Sequence, residues 1–183
     1  MDNTYTKDSA CFILSICLFL FPAAFIGTAS ATDNKPVSPF EIEKLVRAPQ
    51  FTLQDLNGDK VPSSVFNGKV VLLNFWATWC PSCISELPSL SSLNKDKGLK
   101  SKGLEVIAVS TDASARDVKD FLRKKGLDMR VLMDEKRSVA KQFKVFSLPT
   151  TFLIDRQGNI VEKFFGEYDW TDNEIRGKIE RLF

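Results

Sequence analysis

The sequence predicts an α/β domain with a mixed central sheet and helices packed on its faces. Three observations carry that expectation. Between Val70 and Lys144, apolar runs rich in Val, Leu and Ile alternate with helical patterns, the arrangement of a parallel sheet. From Thr151 to Phe164 the pattern changes to two runs joined at Gln157-Gly158, which reads as an antiparallel hairpin. The first continuous apolar run leads directly into two cysteines, Cys80 and Cys83, separated by Pro81 and Ser82.

Taken in order, Thr32 to Pro39 is polar and holds two prolines, so residues 32–47 read as a linker before a domain at 48–183. Phe51-Thr52-Leu53-Gln54 alternates, Asn57-Gly58 accepts positive φ, and Lys60-Val61 resumes, giving a β-hairpin as an N-terminal extension. Asn67-Gly68 marks a second turn. Val70-Val71-Leu72-Leu73 is apolar without alternation, as in a strand buried on both faces, and the strand runs to Phe75. Leu87, Leu90 and Leu93 recur at helical spacing after Cys83, with Pro88 expected to kink that helix. Cys80 then stands at a helix N-terminus, where unpaired N–H groups and the dipole favour a thiolate. Lys97-Gly98 and Lys102-Gly103 bracket the return loop to a second buried strand, Leu104 to Ser110. Ser114 and Asp117 predict a capping box for a helix ending at Gly126. A short strand at Val131-Leu132-Met133, a short helix from Ser138 to Lys144, the hairpin, and a last helix capped by Thr171 and Glu174 complete the chain. This order, with Cys-x-x-Cys after the first buried strand, is that of a thioredoxin-like fold.

The segment from Cys11 to Ala31 carries no charge and ends in Ala29-Ser30-Ala31, so residues 1–31 read as a secretory signal peptide cut after Ala31. An uncleaved membrane anchor through residues 11–31 is the rival. Either one exports the domain. Cleavage would remove Cys11 and Cys17 and leave Cys80 and Cys83 alone, a loop too short to staple a fold. With 25 basic and 23 acidic residues and no long basic run, nucleic acid is not an expected partner. The absence of histidine excludes Ser-His and Cys-His nucleophile pairs and removes the commonest metal ligand. A zinc site would need two ligands beyond the cysteines, so no metal is expected.

From about Ala48 to the C-terminus the chain resembles the TlpA/ResA-like family of exported thiol-disulfide oxidoreductases. The resemblance is carried by Ala48-Pro49-Gln50-Phe51-Thr52-Leu53, by Gly68 through Cys83, and by Leu148-Pro149-Thr150-Thr151-Phe152-Leu153-Ile154-Asp155. It implies that Cys80 attacks, that Cys83 resolves, and that Pro149 is a cis-proline facing them. It also implies that Glu86 is an active-site glutamate and that Asn74 stands where cytoplasmic thioredoxins carry a buried aspartate. Two departures stand out: Ser147 where the family usually has Gly, and Phe143-Lys144 where it usually has Tyr-Gly. Ser147 lies two residues before Pro149, so the surface offered to substrates is expected to differ.

Disulfide exchange needs an exposed thiolate, a second thiol in reach and a route for protons. Cys80 and Cys83 supply the first two and Glu86 the third; the redox-active disulfide takes the place of any cofactor. Glu86 on its own reads as a surface helix residue, and only the resemblance turns it into a proton carrier. Trp79, Pro81, Ser82, Leu148 and Pro149 form the expected substrate-binding set, whereas Trp76 reads equally well as core. The resemblance further implies protein thiol substrates such as apocytochrome c, and a membrane thiol-disulfide electron donor of the DsbD/CcdA type. It places the domain in the periplasm or on the outer face of the cytoplasmic membrane. The competing readings are a disulfide oxidant or isomerase, separated by redox potential; a thiol peroxidase, for which Cys80 lacks the preceding threonine of a Pro-led loop; and a copper-binding assembly factor, which needs a histidine.

Overall fold

The computed structural model describes residues 46–183, so the predicted signal segment and residues 32–45 of the predicted linker lie outside the described residues. In chain order the strands and helices of the described residues are β1 (Val46–Arg47), β2 (Thr52–Asp55), β3 (Lys60–Pro62), β4 (Val70–Trp76), α1 (Pro81–Asn94), α2 (Lys97–Ser101), β5 (Leu104–Ser110), α3 (Ala115–Lys125), β6 (Arg130–Met133), α4 (Ser138–Gln142), β7 (Thr150–Ile154), β8 (Asn159–Phe165) and α5 (Asn173–Glu180), with a 3-10 turn at Ser63–Phe66. The strands form one sheet in the order β1-β8-β7-β4-β5-β6-β2-β3. β4, β5 and β6 run parallel, while β7 and β8 and the β2–β3 hairpin pair antiparallel. The fold is therefore thioredoxin-like, with a mixed sheet and the hairpin added at one edge. The sheet begins two residues ahead of the predicted boundary, because Val46 and Arg47 pair with Ile160 and Asn159.

Side chains of β4 alternate between two cores, as the period of a strand requires. Val70, Leu72 and Trp76 join a cluster that contains Cys80, Cys83, Leu87, Leu90 and residues of α2, α3 and α5. Val71, Leu73 and Phe75 join another with α4 and the β2–β3 hairpin. All seven residues of β4 are buried, which explains why the run lacks a polar face. Asn74 shares the phase of Leu72 and Trp76, so the one polar side chain of β4 is turned toward the side occupied by α1.

Three local expectations need correction. Residues 97–101, read as part of a return loop, form a short helix: Asp96 caps it by accepting from the Leu99 N–H at 2.9 Å, and Leu99 is buried. The last helix is capped by Asp172, not Thr171, because the Asp172 carboxylate accepts from both Glu174 and Ile175 amides while the Thr171 hydroxyl is held by Asp169. Its helical residues end at Glu180, short of the predicted Phe183. Elsewhere α1 continues through Pro88, and Ser114 caps α3 by accepting from the Asp117 amide.

Candidate active site

The site is assembled where β4 passes into α1. Pro81 occupies the first turn of α1, where its missing N–H costs nothing. Cys80 is the N-cap: its sulfur accepts from the Cys83 amide at 3.3 Å and lies 3.6 Å from the Ser82 hydroxyl. Cys80 and Cys83 are joined in a disulfide, with their Cα atoms 5.3 Å apart. Both sulfurs sit against apolar core, and Cys83 is fully buried.

The corner before Cys80 is fastened by the end of β5 and the residues that follow it. The Asp112 carboxylate accepts from the Thr78 amide at 3.0 Å and from the Thr78 hydroxyl at 2.7 Å, and Ser110 donates to it at 2.8 Å. The neighbouring Thr111 amide donates to the Trp76 carbonyl. Trp79, next in the chain, is left 65% exposed, while Trp76 is wholly buried. Opposite in sequence, the Leu148–Pro149 peptide is cis, as the resemblance implied. Pro149 is buried and its carbonyl accepts from Gly166; Leu148 is half-buried and packs against both cores; Ser147 is exposed. Phe146, one residue earlier, is 86% exposed.

Beneath the disulfide, Glu86 is 1% exposed on α1. Its carboxylate accepts from Asn74 Nδ2 at 2.7 Å, from the Tyr168 amide at 3.2 Å and from Trp170 Nε1 at 3.2 Å. Asn74 Nδ2 also donates to Thr151 Oγ1 at 2.8 Å, a pairing that the register of β4 on β7 places side by side. Burial pushes the Glu86 carboxyl up to about 7; the three donors work against that rise, and the Glu167 charge adds to it. The group therefore exchanges its proton near neutrality. Asn74 Oδ1 has no hydrogen-bond partner among the described residues. A protonated Glu86 needs an acceptor, and a half-turn of the Asn74 amide would present this oxygen where Nδ2 now stands.

The structure thus brings Cys80, Cys83 and Leu148 into one cluster, puts Glu86 on the same helix below, and leaves Trp79, Pro81 and Ser82 at the surface or half-exposed. Sequence reasoning passed over Thr78, Asp112, Phe146, Thr151, Tyr168 and Trp170. For Trp170 the one available signal is a pair of large aromatics inside an otherwise acidic turn, Glu167-Tyr168-Asp169-Trp170. Among the described residues no cluster of three or more Cys, Asp or Glu side chains is arranged to hold a metal ion, and no helix is long and apolar enough to cross a membrane.

Comparison with known proteins agrees with this geometry. Residues 46–163 match the AhpC/TSA family. The chain is 40% identical over 147 residues to the thiol-disulfide oxidoreductase ResA of Bacillus subtilis, covering 80% of this chain and 75% of that one. It is 37% identical over 135 residues to ResA of Bacillus cereus, covering 74% and 76%. Among solved structures, a thiol:disulfide interchange protein of the thioredoxin family from Chlorobium tepidum superposes with a TM-score of 0.65 at 26% identity, over 76% of this chain and 97% of that one. A thiol-disulfide oxidoreductase from Bacteroides fragilis gives 0.63 at 29% identity, over 75% and 99%. With a Cys-x-x-Cys disulfide at the start of α1 in a thioredoxin-like sheet, and relatives of this kind over most of its length, the chain belongs to the ResA-like thiol-disulfide oxidoreductases of the AhpC/TSA family.

Proposed function

We propose that this thiol-disulfide oxidoreductase works as an exported reductant of protein disulfides, with Cys80 as the attacking thiol. The observation that carries the reading is the disulfide at the α1 N-terminus with a buried carboxyl one helical turn beyond Cys83. In the reduced enzyme the Cys80 thiolate attacks one sulfur of a substrate disulfide; that S–S bond breaks and a mixed disulfide forms. Glu86 takes the proton of Cys83, since residues three apart share a helix side. The Cys83 thiolate then attacks Cys80 Sγ and the second substrate thiol leaves. Two electrons pass to the substrate, and the enzyme keeps the Cys80–Cys83 disulfide. A membrane dithiol donor of the DsbD/CcdA type would restore the reduced form, and apocytochrome c is the substrate class; the family resemblance supports both. Export rests on the uncharged segment at 11–31.

Trp79, Pro81 and Ser82 meet the substrate on one side and Leu148-Pro149 on the other, where the Leu148 backbone pairs strand-like with an extended segment. The test is insulin-disulfide reduction together with the equilibrium potential of the pair. A Cys80→Ser protein is expected to be inactive; full activity would sink the reading. A potential near roughly −270 mV supports a reductant, and one near roughly −120 mV would reverse the direction.

A further inference from the structure

Tyr168, Asp169 and Trp170 lie between the end of β8 and the start of α5, far in sequence from the cysteines. They are nevertheless fastened to α1 by three hydrogen bonds. Two reach Glu86 Oε2, from the Tyr168 amide and Trp170 Nε1, both at 3.2 Å. The third is to Ser89 Oγ, which accepts from the Trp170 amide at 3.1 Å while its own proton goes to the Glu86 carbonyl at 2.8 Å. The Trp170 ring is wholly buried, and with Phe164 and Tyr168 it forms an aromatic trio with centroids 5.2 to 5.9 Å apart. A ring held this firmly has no freedom to swing its N–H away from the carboxylate.

We propose that Trp170 is a positioning residue for the exchange reaction, its indole N–H fixing the orientation and proton affinity of Glu86. The reading rests on Glu86 as the proton carrier. The indole can only donate, so it bonds the anionic carboxylate more strongly than the protonated acid and favours the charged form. Of the elements packed on Glu86, β4 offers Asn74 and β7 offers Thr151 behind it, neither of which titrates. The 166–172 segment brings one charge that Glu86 feels, Glu167, whose sign opposes ionisation. The carboxylate of Asp169 is held by the Thr171 amide and hydroxyl. Trp170 Nε1 and the Tyr168 amide are thus the donors that answer Glu167 from the same segment. A Trp is suited to this because its ring fills the core while its one polar atom reaches the partner.

The test is the titration of the Glu86 side-chain carboxyl in the oxidised full-length protein, followed by carbon-13 NMR and identified by its loss in Glu86→Gln. Trp170→Phe retains an aromatic ring and deletes the donor. The midpoint is expected to rise by about one pH unit, a tenfold gain in proton affinity. A midpoint unmoved in the folded variant overturns the proposal. The pH profile of insulin reduction then judges the underlying reading separately. If the Glu86 midpoint moves and the profile stays, Trp170 still sets the carboxyl but Glu86 is not the proton carrier. Should Trp170→Phe fail to fold, the unsubstituted protein decides the matter. Its Trp170 indole N–H resonance is expected to titrate with the Glu86 midpoint and to stay flat in Glu86→Gln, and a flat signal in both overturns the proposal.

Discussion

The two sides of the Cys80–Cys83 pair invert the usual relation between polarity and burial. The inner side is polar and dry: Asn74, Glu86 and the Trp170 indole meet there, and none of the three exceeds 1% exposure. The outer side is apolar and wet, with Trp79, the residue before Cys80, 65% exposed. A buried carboxyl group costs a folded protein stability unless it is hydrogen-bonded, whereas an exposed aromatic ring forgoes burial it could have had. Here the inner side gains a carboxyl that titrates near neutrality, and the outer side keeps surface free for a partner. On the proposed reading the inner side serves the chemistry and the outer side recognition, divided by the first turn of α1, which Cys80 caps and which contains Cys83.

The largest expected effect breaks the pair itself. Cys83→Ser should trap Cys80 in mixed disulfides and cut multiple-turnover reduction by at least about a hundredfold; turnover at the normal rate would remove Cys83 from the resolving step. Next comes the inner side. Glu86 has a folded midpoint of about 7 against 4.5 unfolded, so the native state binds more protons between these values. Its contribution is fully present below about pH 4.5 and is lost as pH rises through about 7, a swing of about 3 kcal/mol. Denaturant titrations across that window should show the loss in the unsubstituted protein and a flatter profile in Glu86→Gln. Equal slopes would mean the carboxyl is not held as described.

The outer side is expected to respond more weakly and in a different parameter. Trp79→Ala should raise KM for a protein disulfide by about tenfold with kcat little changed, the cost of one aromatic anchor; a fall in kcat alone would assign Trp79 to the chemistry. Smallest of all is Lys144→Gly. Lys144 has φ +52, a left-handed conformation that a side chain resists, and Gly should stabilise the protein by about 1 kcal/mol. Thermal melts measure this, and a drop in Tm would show that the Lys144 side chain contributes more than its backbone strain costs.

Much of the frame was readable from the chain because it rests on local signals. The unbroken apolar run at 70–73, the glycines at turns and the cysteine spacing each state their own structure. What stayed hidden depends on register and on contacts across the fold. Thr151 faces Asn74 only because β7 pairs with β4 in one register. Trp170 reaches Glu86 across 84 positions of sequence. Thr171 looked like a cap because it stands three residues before Glu174, yet Asp172 holds the amides, as a carboxylate attracts the helix N-terminus more strongly than a hydroxyl. Phe146 gave no sign of its exposure, since a Phe among apolar neighbours reads as core.

The cap made by Cys80 ties the redox cycle to the rigidity of a helix. In the disulfide its sulfur is a weak, neutral acceptor for the Cys83 amide. Reduction followed by ionisation puts a full negative charge at that place, facing the open amides and the positive end of α1. Within the reduced protein the first turn should therefore fray less with the Cys80 thiolate than with the neutral thiol, and amide hydrogen exchange at Ser82, Cys83 and Ile84 would record that ionisation as protection. The same linkage runs backwards: any change that firms this turn around the thiolate holds electrons more tightly and weakens the protein as a donor. At this one corner local stiffness rises as reducing power falls, so that a measurement of either reports on the other.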